Sequence, residues 1–173
     1  MERPNWYVIQ VLTGAEQNTC RTISQMVDPD ILEQAFVPMA QIRKKSNGRF
    51  ETVESPLFPG YLFVITPHIE EVRAALWKVA SFTRLLKAGT TPVPLEPEEV
   101  EAYRRLSDEG HCVSLSKGFI LGDKITVTEG PLKNQEGLIK KIDRHKRIAW
   151  VEMPFLGKTT QIRVPLEIVD KRT

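Results

Sequence analysis

Apolar positions follow helical and strand periods as far as Leu106 and shift to short strands beyond Gly118. Trp6 to Leu12, broken only by Gln10, reads as a buried first strand. Thr13-Gly14-Ala15-Glu16 then matches a capping box, with Thr13 as N-cap and Glu16 reaching back. The helix it opens runs to about Val27, places Cys20, Ile23 and Val27 on one face, and stops at Asp28-Pro29-Asp30. Ala35 to Lys45 reads as a second strand, and Arg49 to Val53 as a third. Asn47-Gly48 between them signals a type I′ hairpin, which needs positive φ at both central residues. Tyr61 to Thr66 is a fourth strand, β-branched and aromatic. Ile69, Val72, Ala75, Leu76 and Val79 mark a short amphipathic helix, and Phe82 to Leu86 a short strand. Glu96-Pro97-Glu98-Glu99 opens a last helix that turns Val100, Tyr103 and Leu106 inward.

This order predicts an α+β domain, with helices on one face of a mostly antiparallel sheet. It covers 1–107. A polar connector, 108–117, leads to 118–173, where Ile125 to Thr128, Leu138-Ile139, Arg147 to Met153 and Arg163 to Val169 form four or five short strands. That density in about 55 residues predicts a small all-β barrel.

One stretch of the first domain stands apart. In Pro56-Leu57-Phe58-Pro59-Gly60-Tyr61, two prolines fix φ and remove two backbone donors, and Gly60 supplies a φ that other residues avoid. The turn leaves Phe58 at the mouth of a strand, capping a core or meeting a partner. It holds no catalytic side chain, which points toward binding.

Composition narrows the class further. No run of about 18 apolar residues is present, so no membrane span is expected. The first residues lack the layout of an export signal, and Cys20 and Cys112 read as reduced, structural thiols, so the cytoplasm is expected. His68, His111 and His145 are scattered, and the chain has neither a CxxC nor a phosphate loop. An enzyme, a metal site and a cofactor are therefore not expected. The net charge of +2 is uneven. Through Ser107 there are 12 basic and 13 acidic side chains, and from Asp108 onward 12 and 9, a hint of a nucleic-acid face in the second domain.

Trp6-Tyr7-Val8-Ile9-Gln10, the Phe58-Pro59-Gly60-Tyr61 turn, and Gly122-Asp123-Lys124-Ile125 followed by Gly130-Pro131-Leu132 and Glu136-Gly137-Leu138 together resemble the NusG family of transcription elongation factors. The first domain looks like that family's N-terminal (NGN) domain, and the second like an SH3-like barrel with a KOW motif. The resemblance implies docking on the clamp helices of RNA polymerase through Trp6, Tyr7, Phe58, Pro59 and Tyr61. Filling the core is the plainer reading of Trp6, Tyr7 and Tyr61. Family members of the housekeeping kind follow a late Phe-Gly-Arg with Thr-Pro-Val-Glu-Leu, the segment that meets a small-subunit ribosomal protein. Here the run is Phe155-Leu156-Gly157-Lys158-Thr159-Thr160, which puts ribosomal contact in doubt.

Lys140, Lys141, Arg144, His145, Lys146 and Arg147 form the most basic window of the chain. If Ala149, Val151 and Met153 face the core, Ile148, Trp150 and Glu152 turn outward. Trp150 then either stacks on an unpaired base or seals a contact between domains, and the charge run is either a phosphate-binding edge or a solvated hairpin. The basic barrel and altered loop resemble the LoaP-type specialised antiterminators, which implies recognition of a structured leader RNA hairpin. A second basic site, Arg43, Lys44, Lys45 and Arg49, lies at the hairpin tip. It is either an exposed loop kept soluble by charge or, as the resemblance implies, a DNA contact near the polymerase cleft and upstream nucleic acid. Lys78 and Arg84 flank the region that relatives use against non-template DNA. The expected partners are RNA polymerase, RNA and non-template DNA, with the protein acting as a monomer. Two alternatives remain: a housekeeping NusG-type factor coupling polymerase to the ribosome, and a KOW-containing structural protein bound to ribosomal RNA.

Overall fold

A computed structural model describes residues 3–172. In chain order the elements are β1 (Asn5–Val11), α1 (Glu16–Met26), β2 (Gln34–Phe36), β3 (Met39–Ser46), β4 (Arg49–Pro56), β5 (Tyr61–Thr66), α2 (Ile69–Leu76), β6 (Thr83–Leu85), β7 (Lys87–Ala88), β8 (Thr91–Pro92), α3 (Pro97–Leu106), β9 (Cys112–Val113), β10 (Ser116–Leu121), β11 (Lys124–Glu129), β12 (Ile139–Asp143), β13 (Ile148–Phe155) and β14 (Lys158–Arg172). The α+β class with a C-terminal all-β part is the one the periodicity predicts. Two compact units result. The first comprises the chain up to Pro38 and Phe58–Pro97; the second comprises Met39–Leu57 and the chain from Glu98 onward.

The first unit is built on the antiparallel sheet β2-β5-β1-β6. Pairing of Trp6 with Ile65, Tyr7 with Val64 and Val8 with Phe63 fixes its register. Alternation then puts Trp6, Val8 and Phe63 on one face and Tyr7, Ile9 and Val64 on the other. All six are buried, so both faces are covered. That explains why β1 and β5 read as continuous apolar runs rather than as alternating ones. One face carries an aromatic cluster in which Trp6 meets Phe36 edge-on at 5.5 Å between centroids, and Phe63 stacks on Phe58 at 5.7 Å.

Two local expectations change. The second strand is not continuous: β2 joins β5 in the first sheet, whereas β3 pairs with β4 and β9 in another. The break falls at Val37-Pro38, because Pro38 has no N–H to continue a ladder. The capping box is also absent. The helix N-cap is Ala15 rather than Thr13, with no side-chain cap bond, while the buried Glu16 does reach back, to the Gly14 N–H, and also bonds the Gly60 N–H of the Pro-Gly turn.

The second unit holds a three-stranded sheet, β4-β3-β9, and a five-stranded sheet, β11-β10-β14-β13-β12. The β3–β4 hairpin closes through Asn47 at φ 50° and Gly48 at φ 78°, the pair of positive values that its sequence requires. The span read as a polar connector carries β9, whose Cys112 and Val113 pair in parallel with Met39 and Ala40. Asp108 shapes this corner: its carboxylate accepts the Cys112 N–H at 3.0 Å, and its own N–H donates to the Cys112 carbonyl at 2.9 Å. Both cysteines are free and buried. Burial raises both thiols, Cys112 to about 11, which leaves them protonated and weakly nucleophilic at neutral pH.

Candidate functional site

The Phe58–Tyr61 segment is a type II turn. The Tyr61 N–H donates to the Phe58 carbonyl at 3.1 Å, Pro59 occupies the second position, and Gly60 takes φ 85° at the third. A Cβ on Gly60 would also come within 3.2 Å of Thr13 Oγ1. Two further bonds hold the turn against β1 and α1: the Val11 N–H donates to the Gly60 carbonyl at 2.8 Å, and the Gly60 N–H donates to Glu16 Oε1 at 2.9 Å. Glu16 Oε2 accepts the Gly14 N–H at 2.9 Å, so one buried carboxylate ties two chain reversals together.

The five residues assigned to polymerase docking are not equivalent. Pro59 is exposed at the tip and Tyr61 is half-buried. Phe58 and Trp6 are buried in the aromatic cluster, each against Phe63, with Trp6 opposite Ile65 at the far end of the β1–β5 ladder from Tyr61. Tyr7 is buried on the opposite face of β1 from Trp6, because adjacent strand residues point opposite ways. The turn thus offers a small rigid surface on a deep aromatic footing.

Elsewhere in the same unit, Trp77 closes α2 with 88% of its surface exposed. It lines an open recess with Arg73, Thr83, Arg84 and Lys87. Arg84 was singled out from the sequence and Trp77 was not. Its signal was available, since Trp77 falls outside the apolar period of the helix and so has no place in the core. Lys78 beside it is exposed.

The basic turn of the five-stranded sheet is held by one side-chain and one backbone hydrogen bond. Asp143 Oδ1 accepts the Lys146 N–H at 2.9 Å, and the Arg147 carbonyl accepts the Leu166 N–H at 2.9 Å. Arg147 sits in the left-handed region at φ 55°. Arg144, His145 and Lys146 are exposed. Ile148 is buried rather than outward, because the first residue after the turn closes the end of the core next to Pro165. Trp150 does lie on the outer face, half-buried, with Lys141 Nζ 4.9 Å from its ring centroid. Lys140 pairs with Glu152 at 3.7 Å.

The Lys146 N–H, chiefly, holds the Asp143 carboxyl below the usual carboxylate range. A depressed acid stabilises the fold above its unfolded pKa, and that stabilisation is lost as pH falls through the folded one. The turn should therefore keep its order from neutral pH down to the ordinary aspartate range. Following the Lys146 amide resonance by NMR should give a midpoint below that of a free aspartate, and the Asp143→Asn variant should show no such transition.

The hairpin cations form part of the same unit. Arg43 Nη1 lies 3.9 Å from Glu167 Oε2, and Arg147 Nη1 lies 3.7 Å from Glu167 Oε1. The Arg147 guanidinium also rests over the Phe50 ring at 4.6 Å. Lys44, Lys45 and Arg49 are exposed. At the far end of β13, Leu156 and Gly157 turn the chain at φ 55° and 74°, and the Gly157 N–H donates to Glu99 Oε2 at 3.1 Å. Phe155, the displaced aromatic, is buried.

A family model described as transcription termination factor nusG matches residues 4–104, and a KOW-motif model matches residues 121–153. The chain belongs to the NusG family. Its relatives include the transcription termination/antitermination protein NusG of Halalkalibacterium halodurans, 29% identical over 96% of this chain and 98% of the relative. The protein of the same name from Thermus thermophilus is 26% identical, covering 96% and 97%. A solved structure described as domain interaction in Thermotoga maritima NusG covers 96% of this chain and 94% of its own, with a TM-score of 0.55 at 20% identity, a likeness of fold. NusG membership accounts for the two-part order of the chain.

Proposed function

We propose that this chain is an elongation and antitermination factor that rides RNA polymerase and reads a structured leader RNA. Residues 1–107 act as the docking module, 108–117 as the join, and 118–173 as the RNA-reading barrel. Docking on the clamp helices uses Pro59 and Tyr61 as the contacting surface. Phe58, and Trp6 through Phe63, form the aromatic cluster that supports it, and Tyr7 fills the opposite face of the sheet. An aromatic footing of this kind loses little entropy when a partner covers it. Lys78, Arg84 and Trp77 face non-template DNA, where an exposed indole beside cations suits an unpaired strand. The protein acts as a monomer, without cofactor or catalysis, in the cytoplasm, where bacterial transcription takes place.

The observation that carries the RNA reading is the turn at residues 144–147, where the Asp143 carboxylate accepts the Lys146 N–H and the Leu166 N–H donates to the Arg147 carbonyl, holding the backbone that exposes Arg144, His145 and Lys146. Preorganised cations release phosphate counterions with little ordering cost. Ribosomal contact is not part of the proposal, because the corresponding segment differs and its aromatic, Phe155, is in the core. Transcription through an intrinsic terminator by purified polymerase tests the reading. Readthrough should rise with this protein only when the transcript carries the cognate leader hairpin. A rise of equal size without the leader would favour the second reading, a housekeeping factor, which the end-to-end match to relatives named NusG supports.

A further inference from the structure

We propose that the β3–β4 hairpin and the turn at residues 144–147 form one composite surface for the backbone of a double-stranded RNA stem, keyed by Glu167. The proposal rests on the RNA reading above and specifies which form of RNA is bound and by which elements. The two basic windows lie about 100 residues apart in sequence, yet a single carboxylate takes Arg43 on one oxygen and Arg147 on the other. Arg147 adds a third tie by lying over Phe50 of β4.

Hairpin register decides which cations share this surface. Arg43 opposes Thr52 and Lys45 opposes Phe50. Alternation puts Arg43, Lys45 and Phe50 on the face that meets Glu167 and Arg147, and Lys44 with Glu51 on the reverse. Lys45 therefore belongs to the surface and Lys44 does not. Glu167 itself lines an open recess together with Arg144, His145, Arg147 and Ile168.

The aromatic groups argue for a duplex over a single strand. Single strands bind by stacking bases on free ring faces. Here Phe50 carries Arg147 and Trp150 carries Lys141, so each ring already has a cation on one face. What remains exposed is an array of cations on a rigid frame, which suits regularly spaced phosphates. Once Arg43 and Arg147 are engaged by Glu167, Lys45 on one flank and Arg144, with its exposed neighbours His145 and Lys146, on the other are left for the ligand.

Fluorescence anisotropy of the full chain with a labelled 20-base-pair RNA stem, over a range of salt, tests this. The Lys45→Ala and Arg144→Ala variants should each weaken binding about three- to tenfold and reduce the salt slope by about 0.9. Lys44→Ala should change neither by half as much. The same stem made as DNA, and its separated RNA strands, should bind more weakly than the RNA duplex. If Arg144→Ala weakens binding and Lys45→Ala does not, the composite surface is wrong and RNA reading by the barrel alone stands. Equal effects at Lys44 and Lys45 would mean diffuse charge and also overturn the proposal. Preference for the single strands or the DNA duplex would reject a stem as the ligand, and absence of RNA binding in the parent protein would remove both readings.

Discussion

Gly130→Ala should be severely damaging within the KOW segment, costing about 2–6 kcal/mol by the combined cost of backbone strain and overpacking. Two independent penalties act at this position. Gly130 has φ 93°, a conformation that a Cβ disfavours, and the added carbon would lie 2.6 Å from Ser116 Cα and 2.7 Å from the Leu115 carbonyl oxygen. Both neighbours named are backbone, so neither can rotate away. The turn that follows cannot shift to relieve the clash. The Lys133 N–H donates to the Gly130 carbonyl, and the Leu132 N–H donates to Ser116 Oγ, a fully buried hydroxyl. Leu132, also fully buried, anchors the same loop in the core. Differential scanning calorimetry should show loss or strong weakening of the transition of the five-stranded sheet, and RNA binding should go with it. A variant melting within 2 °C of the parent, by about the usual scaling of Tm with stability, would rule this account out.

Glu16→Ala should destabilise by about 2–4 kcal/mol, since bonds to a charged acceptor each contribute about 1.5–3 kcal/mol and one of the two donors is buried. The Gly60 N–H would be left in the interior without a partner, whereas the Gly14 N–H lies at an exposed residue where water replaces the carboxylate. Glu16→Gln should recover part of the loss, because its one amide oxygen accepts from one turn but its NH₂ cannot accept from the other. The effect on polymerase binding should exceed the effect on folding. Once Gly60 is released, Pro59 and Tyr61 lose their fixed placement even in the folded fraction. Thermal melts together with a pull-down on the isolated clamp helices separate these two consequences. Retention of full affinity in Glu16→Ala would detach the turn from docking.

Much of the fold could be read from the sequence because the code there is local. The type I′ hairpin at Asn47-Gly48, the strand at Tyr61–Thr66 and the α2 stripe each follow from adjacent residues and their periods. Reading failed where a long-range partner outweighed a local one. Thr13 and Glu16 have the spacing of a capping box, but the carboxylate is divided between the Gly14 N–H and the N–H of Gly60, 44 residues from Glu16. Residues 108–117 look polar, yet Met39 and Ala40 supply a strand for Cys112 and Val113 to pair with.

The site was legible to the same degree. Composition marks the two basic windows. Their conjunction depends on Glu167, an isolated acid within an apolar strand whose role no spacing reveals. Ile148 and Trp150 show the limit of alternation: parity alone places both outward, but the end of the core takes Ile148 in.

The pairing of β9 with β3 also bears on how the chain can be divided for expression. The boundary at residue 107 suggested by periodicity, and the match ending at residue 104, invite a fragment that stops there. Such a fragment would keep the hairpin but lose Cys112 and Val113, leaving Met39 and Ala40 on an open strand edge with unpaired amides and carbonyls. An uncovered edge recruits other strands. Extending the fragment through Val113 retains the native cover in the same molecule.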